Sequence, residues 1–312
     1  MSYKHIPVML EEVIDHLNPE PGKIYVDCTL GGAGHFLAVC EKILPNGMMI
    51  GIDQDIDAIK NAEDLLKPYA SNVLLFNDNF VNLDRILKSL NLAGVDGILL
   101  DLGLSLHHLE SSFRGFSFMK NEPLDMRMDT RLNKKAADLV NEMNEKDLSK
   151  LFKELGEEPL ANKIAGKISA ARKKAKIESS KQLAEIVENA IGDYKKFSKK
   201  IHPATRVFMA LRIAVNKELE VLSDFMEKAP DYLNAGGRIC VLSYHSLEDR
   251  IVKNKIRSSE IGCICPKYFP KCICNNRPVM RSLTKKAIRP GALEIKKNPR
   301  ARSAKMRVAE RL

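Results

Sequence analysis

The sequence lacks any uninterrupted apolar run of about 18 residues, the length that a membrane-spanning helix needs. Glu11 and Glu12 stand where a secretory signal peptide would carry its apolar core. Seven cysteines are too few for a disulfide scaffold in 312 residues, and 17 Gly and 14 Pro are too few for a collagen-like or low-complexity chain. We therefore expect a cytoplasmic globular protein with no membrane span.

The charge of the chain is unevenly distributed. Residues 253–312 carry 17 basic and three acidic residues, a net charge of +14, whereas the rest of the chain has a net charge of −4. The length allows two modest domains, or one domain with a large insertion. A basic tail of this kind is either a solvated surface or a docking surface for a phosphate-rich partner such as nucleic acid.

The cysteines fall into two groups. Cys28, Cys40 and Cys240 lie alone in apolar stretches, where a small buried side chain fits. The other four form the pattern C-x-C-x6-C-x-C and are Cys263, Cys265, Cys272 and Cys274. This spacing can bring four thiolates around one tetrahedral ion such as zinc, and a reduced, metal-free loop is the alternative.

The first hundred residues alternate short apolar runs with helical patterns, which predicts parallel β-α-β units and an α/β fold. The predicted strands cover residues 23–29, 48–53, 73–76 and 97–102. Residues 110–200 are polar and helical, with basic clusters at 172–176 and 195–200, and so form a predicted helical insertion. A helix at 204–228 and a strand at 238–242 return the chain to the sheet, and residues 304–309 fit an edge strand. The predicted domains are therefore residues 1–109 with 201–312, and residues 110–200.

Chemistry in such a sheet is expected where the strands end. The glycine turn from Gly31 to Gly34 follows the first strand, and Asp53 lies 19 residues beyond it, where a carboxylate can bind a ribose diol. A nicotinamide-binding turn needs a third glycine at the position of Leu37. The turn is a better match to the acidic-x-small-x-Gly pattern of S-adenosylmethionine enzymes, which begins here at Asp27. The alternative is a tight turn that binds no ligand.

Two further strand ends carry candidate residues. Phe80 follows the third strand, where its ring could lie against an adenine or simply pack in the core. Asp101 ends the fourth strand, and a buried carboxylate without a partner is costly, so packing alone does not explain it.

Long motifs run through the chain in order from His5 to Arg311. They are HIPVML (5–10), DCTLGGAGH (27–35), DGILLDLGLS (96–105), RGFSF (114–118), PLDMRMD (123–129), HPATRVFMALRIAVNKELE (202–220), SYHSLEDRIVK (243–253) and NPRARSAKMRVAER (298–311). Together these motifs resemble one family, the bacterial 16S rRNA (cytosine-N4)-methyltransferases known as RsmH or MraW.

The resemblance implies a class I (Rossmann-like) S-adenosylmethionine methyltransferase sheet with an inserted α-helical domain that recognises RNA. It implies methylation of N4 of a decoding-centre cytidine in the 16S rRNA of the 30S subunit. The implied cofactor contacts are Ala33, Gly34, His35, Asp53, Phe80, Asp101 and His108. Two motifs depart from the family: its GxGGH turn reads Gly-Gly-Ala-Gly-His here, and His107-His108 replace its Pro-Gln.

Methylation of a cytosine amine requires a group that accepts the developing positive charge. Asp101 is the first candidate for this catalytic role. The alternatives, each of which could instead be a structural ion pair or helix cap, are Asp125, Asn216, His245 and Asp249. In the basic tail the predicted RNA contacts are Arg300, Arg302 and Arg307.

Two other function classes compete with a methyltransferase. A non-catalytic, RNA-binding ribosome-assembly factor would keep the fold without turnover, but the glycine turn, Asp53 and Asp101 are all present. A nicotinamide oxidoreductase is disfavoured by Leu37 and by the basic tail.

Overall fold

The computed structural model describes residues 7–192, 202–266 and 271–312. The chain divides into two compact units: Met1–Gly103 with Leu219–Leu312, called the sheet unit, and Leu104–Glu218, called the helical unit. The predicted basic cluster at 195–200 lies outside the described residues. None of the helices within the described ranges is long and apolar enough to cross a bilayer.

The sheet unit is built on seven strands in the order β3-β2-β1-β4-β5-β7-β6. They are β1 (Ile24–Asp27), β2 (Met48–Ile52), β3 (Val73–Phe76), β4 (Val95–Asp101), β5 (Leu233–Ser243), β6 (Met280–Ser282) and β7 (Lys305–Arg311). The first five strands are parallel, and β7 lies antiparallel between β5 and β6. The predicted α/β, Rossmann-like sheet is confirmed.

Helices cover both faces of this sheet, which is why the strands are apolar runs rather than alternating ones. They are α1 (Leu10–Leu17), α2 (Gly34–Ile43), α3 (Ile56–Leu65), α4 (Leu83–Ser89), α11 (Glu218–Tyr232, shared with the end of the helical unit), α12 (Ser246–Ser259) and α13 (Ala292–Lys297). In β4, Ile98 and Leu100 join one buried cluster and Leu99 joins the other. Cys28, Cys40 and Cys240 are buried in these cores, as predicted.

The helical unit has its own hydrophobic core. Its helices are α5 (Leu106–Glu110), α6 (Ala136–Glu142), α7 (Glu145–Gly156), α8 (Ala161–Arg172), α9 (Ser180–Ile191) and α10 (Ala204–Asn216). Phe152, Ile168 and Leu211 from three of these helices are buried in that core.

The predicted helix at 204–228 is wrong, because the chain breaks at Lys217 with a left-handed φ of 51°. The first half, α10, buries Phe208 and Leu211 in the core of the helical unit, whereas the second half, α11, buries Phe225 in a core of the sheet unit. The compact helical unit therefore covers residues 104–218 rather than the predicted 110–200.

Two features of the C-terminal region also differ from expectation. The strand predicted at 304–309 as an edge is β7, which pairs on both sides, with β5 and with β6. The edge strand on this side of the sheet is β6, and its three residues are too few to show a period of two.

Candidate active site

Three carboxylates gather at the edge of the sheet where the parallel strands end. Asp27 ends β1, Asp101 ends β4, and Asp53 follows β2. Thr29 ties two of these ends together, since its backbone N–H donates to Oδ1 of Asp27 over 3.0 Å and its hydroxyl accepts from the backbone N–H of Asp101 over 2.6 Å. We call Asp27, Asp53 and Asp101 the acidic cluster.

Asp27 is the most deeply buried member, with 2% of its surface exposed. Burial raises its pKa from 3.8 to about 7, against the opposing effects of His35 and of the Thr29 N–H; the charges of Asp101 and Asp53 add to the rise. A cationic ligand beside this cluster would relieve the repulsion among the carboxylates, so the arrangement suits a positively charged molecule.

The glycine turn is held by Asp53. The backbone N–H of Gly31 donates to Oδ2 of Asp53 over 2.9 Å, and that of Asp55 donates to Oδ1 over 2.8 Å. Gly31 has a φ of +47° and Ala33 a φ of +60°, and for alanine this left-handed conformation costs roughly 1 kcal/mol. Gly34 has a packing role as well, because a Cβ there would lie 3.1 Å from the ring of Pro7.

His35, on the first turn of α2, is buried and connects the N-terminal segment to the acidic cluster. Its Nε2 lies 2.9 Å from the carbonyl oxygen of Val8, and its Nδ1 lies 3.6 Å from Oδ2 of Asp101. Since a carbonyl can only accept, Nε2 carries a proton and donates to Val8. Nδ1 is therefore the atom that faces Asp101.

Tyr244, which was not among the predicted site residues, holds the other oxygen of Asp101. Its hydroxyl donates to Oδ1 over 2.6 Å, and burial, with the adjacent Asp101, raises the pKa of Tyr244 well above its usual value. Gly103, at a φ of +104°, gives this ring room, since a Cβ there would lie 3.3 Å from it. The Asp101 side chain remains 14% exposed. The sequence does carry a signal for this residue: Tyr244 directly follows a parallel strand and lies in the motif SYHSLEDRIVK.

Phe80 begins a short 3-10 helix after β3 and is half-buried. Its ring meets that of Phe225 edge to face, with centroids 5.1 Å apart. The loop is also fixed to the end of β2, because Nδ2 of Asn77 donates to the carbonyl oxygen of Asp53 over 3.0 Å. Phe80 thus packs partly in the core and lies in the loop beside the Asp53 end of the cluster.

The other candidates in the sheet unit have structural partners. His245 is the N-cap of α12, with Nδ1 3.5 Å from the backbone nitrogen of Glu248 and Nε2 3.0 Å from Oε1 of Glu248. Asp249 accepts from Nε of Arg307 over 2.7 Å and from Nζ of Lys305 over 3.1 Å. Burial raises the pKa of Asp249, but these two cations outweigh it and hold the pKa below its usual range. Both arrangements match the structural alternatives considered for these residues.

The remaining candidates lie in the helical unit. His108 is buried in α5, with Nδ1 3.1 Å from the Ser105 hydroxyl. Asp125 forms a bidentate ion pair with Arg127 over 2.7 and 2.8 Å; burial raises the pKa of Asp125, but Arg127 outweighs it, so the pKa is lowered. Asn216 makes three hydrogen bonds of 2.7 to 2.9 Å, accepting from the backbone of Met128 and donating to carbonyl oxygens. Asp125 and Asn216 thus stabilise the helical unit.

Comparison with known proteins gives one consistent result. The model of the MraW methylase family matches residues 2–312. The chain is 53% identical over 312 residues to the ribosomal RNA small subunit methyltransferase H of Desulforapulum autotrophicum, with all of both chains covered. The proteins of the same name from Desulfosudis oleivorans and Geobacter sulfurreducens are 49% and 47% identical, again over the full length of both chains. The resemblance found from the motifs is confirmed.

Proposed function

Since the chain belongs to the MraW methylase family and is an S-adenosylmethionine-dependent methyltransferase, we propose that its acceptor is N4 of a cytidine in the 16S rRNA. The assembled or nearly assembled 30S subunit is the proposed form of the substrate. The observation that carries the enzymatic assignment is the acidic cluster at the ends of β1, β2 and β4, together with the glycine turn that Asp53 holds.

The residues of the sheet unit suit this cofactor. S-adenosylmethionine carries a positive sulfonium and a positive ammonium group, and the acidic cluster supplies three carboxylates, of which Asp27 is held partly protonated by burial. Asp53 is the proposed partner of the ribose hydroxyls, and Phe80 of the adenine. The remaining proposed contacts are Ala33, Gly34 and His35, together with His108 of the helical unit. When bound, the cofactor supplies the electrophilic methyl group.

Asp101 is the proposed catalytic residue. The N4 lone pair of cytosine is delocalised into the ring, so positive charge develops on the amine as it is methylated, and a fixed carboxylate stabilises that charge. The hydrogen bond from Tyr244 to Oδ1 of Asp101 restricts rotation of the carboxylate, and His35 lies 3.6 Å from the other oxygen. The Asp101 side chain is 14% exposed, so the carboxylate is not completely sealed in the core.

A basic groove in the sheet unit offers a docking surface for the RNA backbone. It is formed by α12, by residues 282–289 and by β7, and it contains seven basic and two acidic residues. The basic ones are Lys253, Arg257, Lys285, Lys286, Arg289, Lys305 and Arg307. Many Lys and Arg contacts with phosphate produce salt-sensitive binding without base specificity.

The groove changes which basic residues of the tail we expect to contact the RNA backbone. Arg307 lines the groove, but it is committed to Asp249 and half-buried. Arg300 and Arg302 are exposed on the 3-10 helix at Pro299–Ser303. We therefore assign backbone docking first to the exposed groove residues and second to Arg300 and Arg302.

The decisive experiment is methyl transfer from labelled S-adenosylmethionine to 30S subunits that lack the native modification, with naked 16S RNA as the comparison. Nucleoside analysis of the particle should yield N4-methylcytidine derivatives. Cofactor binding without label in any RNA would instead favour the non-catalytic assembly factor, which the intact acidic cluster and the family membership disfavour. Label on another atom or another RNA would contradict the proposed acceptor.

A further inference from the structure

Four thiols lie together in the sheet unit, in the segment that joins α12 to β6. They belong to Cys263, Cys265, Cys272 and Cys274, and all four Sγ atoms lie within 4.8 Å of one another. We propose that these four residues, called the cysteine cluster, bind one structural zinc ion. This site is separate from the acidic cluster and does not depend on the proposed substrate.

The distances between the sulfurs fit a single tetrahedral ion. The Sγ of Cys274 lies 3.6 Å from that of Cys272 and 3.8 Å from that of Cys263. With zinc–sulfur bonds of about 2.3 Å, a tetrahedral site places its sulfurs roughly 3.8 Å apart. A disulfide would need about 2.05 Å. All four cysteines are free.

Backbone hydrogen bonds explain why the pairs are spaced as C-x-C. The N–H of Ile264, between the first two cysteines, donates to Sγ of Cys274 over 3.3 Å. The N–H of Ile273, between the last two, donates to Sγ of Cys265 over the same distance. Each pair thus supplies an amide to a sulfur of the other pair. Hydrogen bonds of this kind stabilise the thiolate form, which is the form that binds a metal.

In the described residues on either side of the cysteines, 261–266 and 271–276, the large apolar side chains are mostly exposed and do little to hold the thiols together without an ion. The side chains of Ile264 and Ile273 are 66% and 70% exposed. The segment is anchored instead through Asn276, whose Nδ2 donates to the carbonyl oxygens of Ile261 and Gly262. Small segments without a core commonly depend on a metal ion for their stability. The four clustered cysteines are exposed or half-buried, whereas Cys28, Cys40 and Cys240 are buried in apolar cores.

The chemistry of the ligands favours zinc over other ions. Four thiolates at tetrahedral spacing are typical of structural zinc sites, and hard ions such as magnesium and calcium prefer oxygen. An iron–sulfur cluster binds its cysteines to different iron atoms and so spreads their sulfurs farther apart than a single ion does. With four protein ligands the site is closed, so its role is structural. It would fix the segment between α12 and β6, both of which line the basic groove.

The test uses untagged full-length protein, purified under reducing conditions without chelator. Elemental analysis should find about one zinc per chain, as expected for a closed four-thiolate site. After removal of zinc, addition of Co²⁺ should produce the intense visible bands and the thiolate charge-transfer band of tetrahedral cobalt. Substoichiometric metal combined with no uptake of Zn²⁺ or Co²⁺ would overturn the proposal, and stoichiometric iron with an iron–sulfur spectrum would overturn the assignment to zinc.

Two matched double variants separate ligation from general disturbance of the segment. Cys272→Ser/Cys274→Ser should lose the zinc and the cobalt spectrum. Ile264→Ser/Ile273→Ser keeps all four sulfurs and both donating amides, and should retain both signals. Equal zinc in the two variants would refute the site. If the cysteine variant does not fold, Cys263→Ser alone, which should bind cobalt at least tenfold more weakly, provides the same comparison.

Discussion

The Tyr244 hydroxyl donates a 2.6 Å hydrogen bond to Oδ1 of Asp101, joining the end of β5 to the end of β4. His35 faces the second carboxylate oxygen from 3.6 Å. Asp101 is therefore oriented before any ligand binds. Such preorganisation costs nothing at the moment of reaction, which is why a fixed carboxylate is more effective than a mobile one.

The first prediction concerns Tyr244 as a positioning residue. Tyr244→Phe removes the hydrogen bond to Asp101 but keeps the ring beside Gly103. Hydrogen bonds to charged groups contribute about 1.5–3 kcal/mol. We expect kcat to fall about tenfold, with a smaller change in KM for S-adenosylmethionine. Steady-state methylation kinetics would measure both.

Tyr232→Phe is the matched control. Tyr232 is a buried tyrosine of the same unit, and its hydroxyl has no hydrogen-bond partner within the described part of the chain. Its removal should leave kcat unchanged. Equal loss of kcat in the two variants, or an unchanged kcat in Tyr244→Phe, would show that the Tyr244 hydroxyl does not position Asp101.

The sequence predicted the parts of the site that follow from local pattern. Apolar runs located β1, β2 and β4, and the rule that ligands bind at strand ends identified Asp53 and Asp101. Tyr244 was missed because its importance arises from the pairing of β4 with β5, two strands that are distant in the sequence. Val95 of β4 pairs with Leu233 of β5, 138 residues farther along the chain. The break at Lys217 was missed because lysine gives no local signal for a left-handed conformation.

The second prediction concerns stability and pH. Because the pKa of Asp27 is raised from 3.8 to about 7, the folded protein retains a proton between these values that the unfolded chain has lost. Raising the pH through this window therefore lowers the free energy of unfolding, by up to roughly 4 kcal/mol. Asp27→Asn removes this effect. Relative to wild type, the ligand-free variant should gain stability between about pH 4 and pH 8.

Urea unfolding at several pH values would measure this gain. Asp64→Asn is the control, since the Asp64 side chain is 78% exposed on α3 and its effect should not change over the same window. A difference between wild type and Asp27→Asn that stays constant with pH would contradict the raised pKa of Asp27.

The third prediction concerns cofactor affinity. A cationic ligand favours the ionised form of Asp27, so the affinity for S-adenosylmethionine should increase as the pH rises through about 7. Asp27→Asn should lose this increase. Any deprotonation of the ligand itself affects both proteins equally and is removed by comparing them.

Calorimetric titration of both proteins between about pH 6 and pH 8 would measure these affinities. S-adenosylhomocysteine, which lacks the sulfonium charge, should show a weaker dependence on pH than S-adenosylmethionine. Superimposable pH profiles for wild type and Asp27→Asn would exclude the acidic cluster as the source of the effect.

The fourth prediction concerns the basic groove. Lys253, Arg257 and Lys286 are exposed on its wall, and replacing all three with alanine removes three positive charges without breaking the pair between Asp249 and Arg307. If each contacts a phosphate, the slope of log K against log salt should fall by about 2 to 3. Filter binding or fluorescence anisotropy with 16S RNA fragments at several salt concentrations would measure this slope.

The control removes the same charge from helices of the sheet unit whose lysines do not line the groove. Lys42, Lys60 and Lys88 are exposed on α2, α3 and α4, and their triple alanine variant should bind RNA with a nearly unchanged slope. The Arg300→Ala/Arg302→Ala variant should reduce the slope by about 1 to 2, since it removes two exposed charges from the tail. Equal slopes for the groove variant and the control would place the RNA backbone elsewhere. Because phosphate contacts carry no base information, the groove variant should also methylate the same nucleotide as wild type, at a lower rate when RNA is scarce.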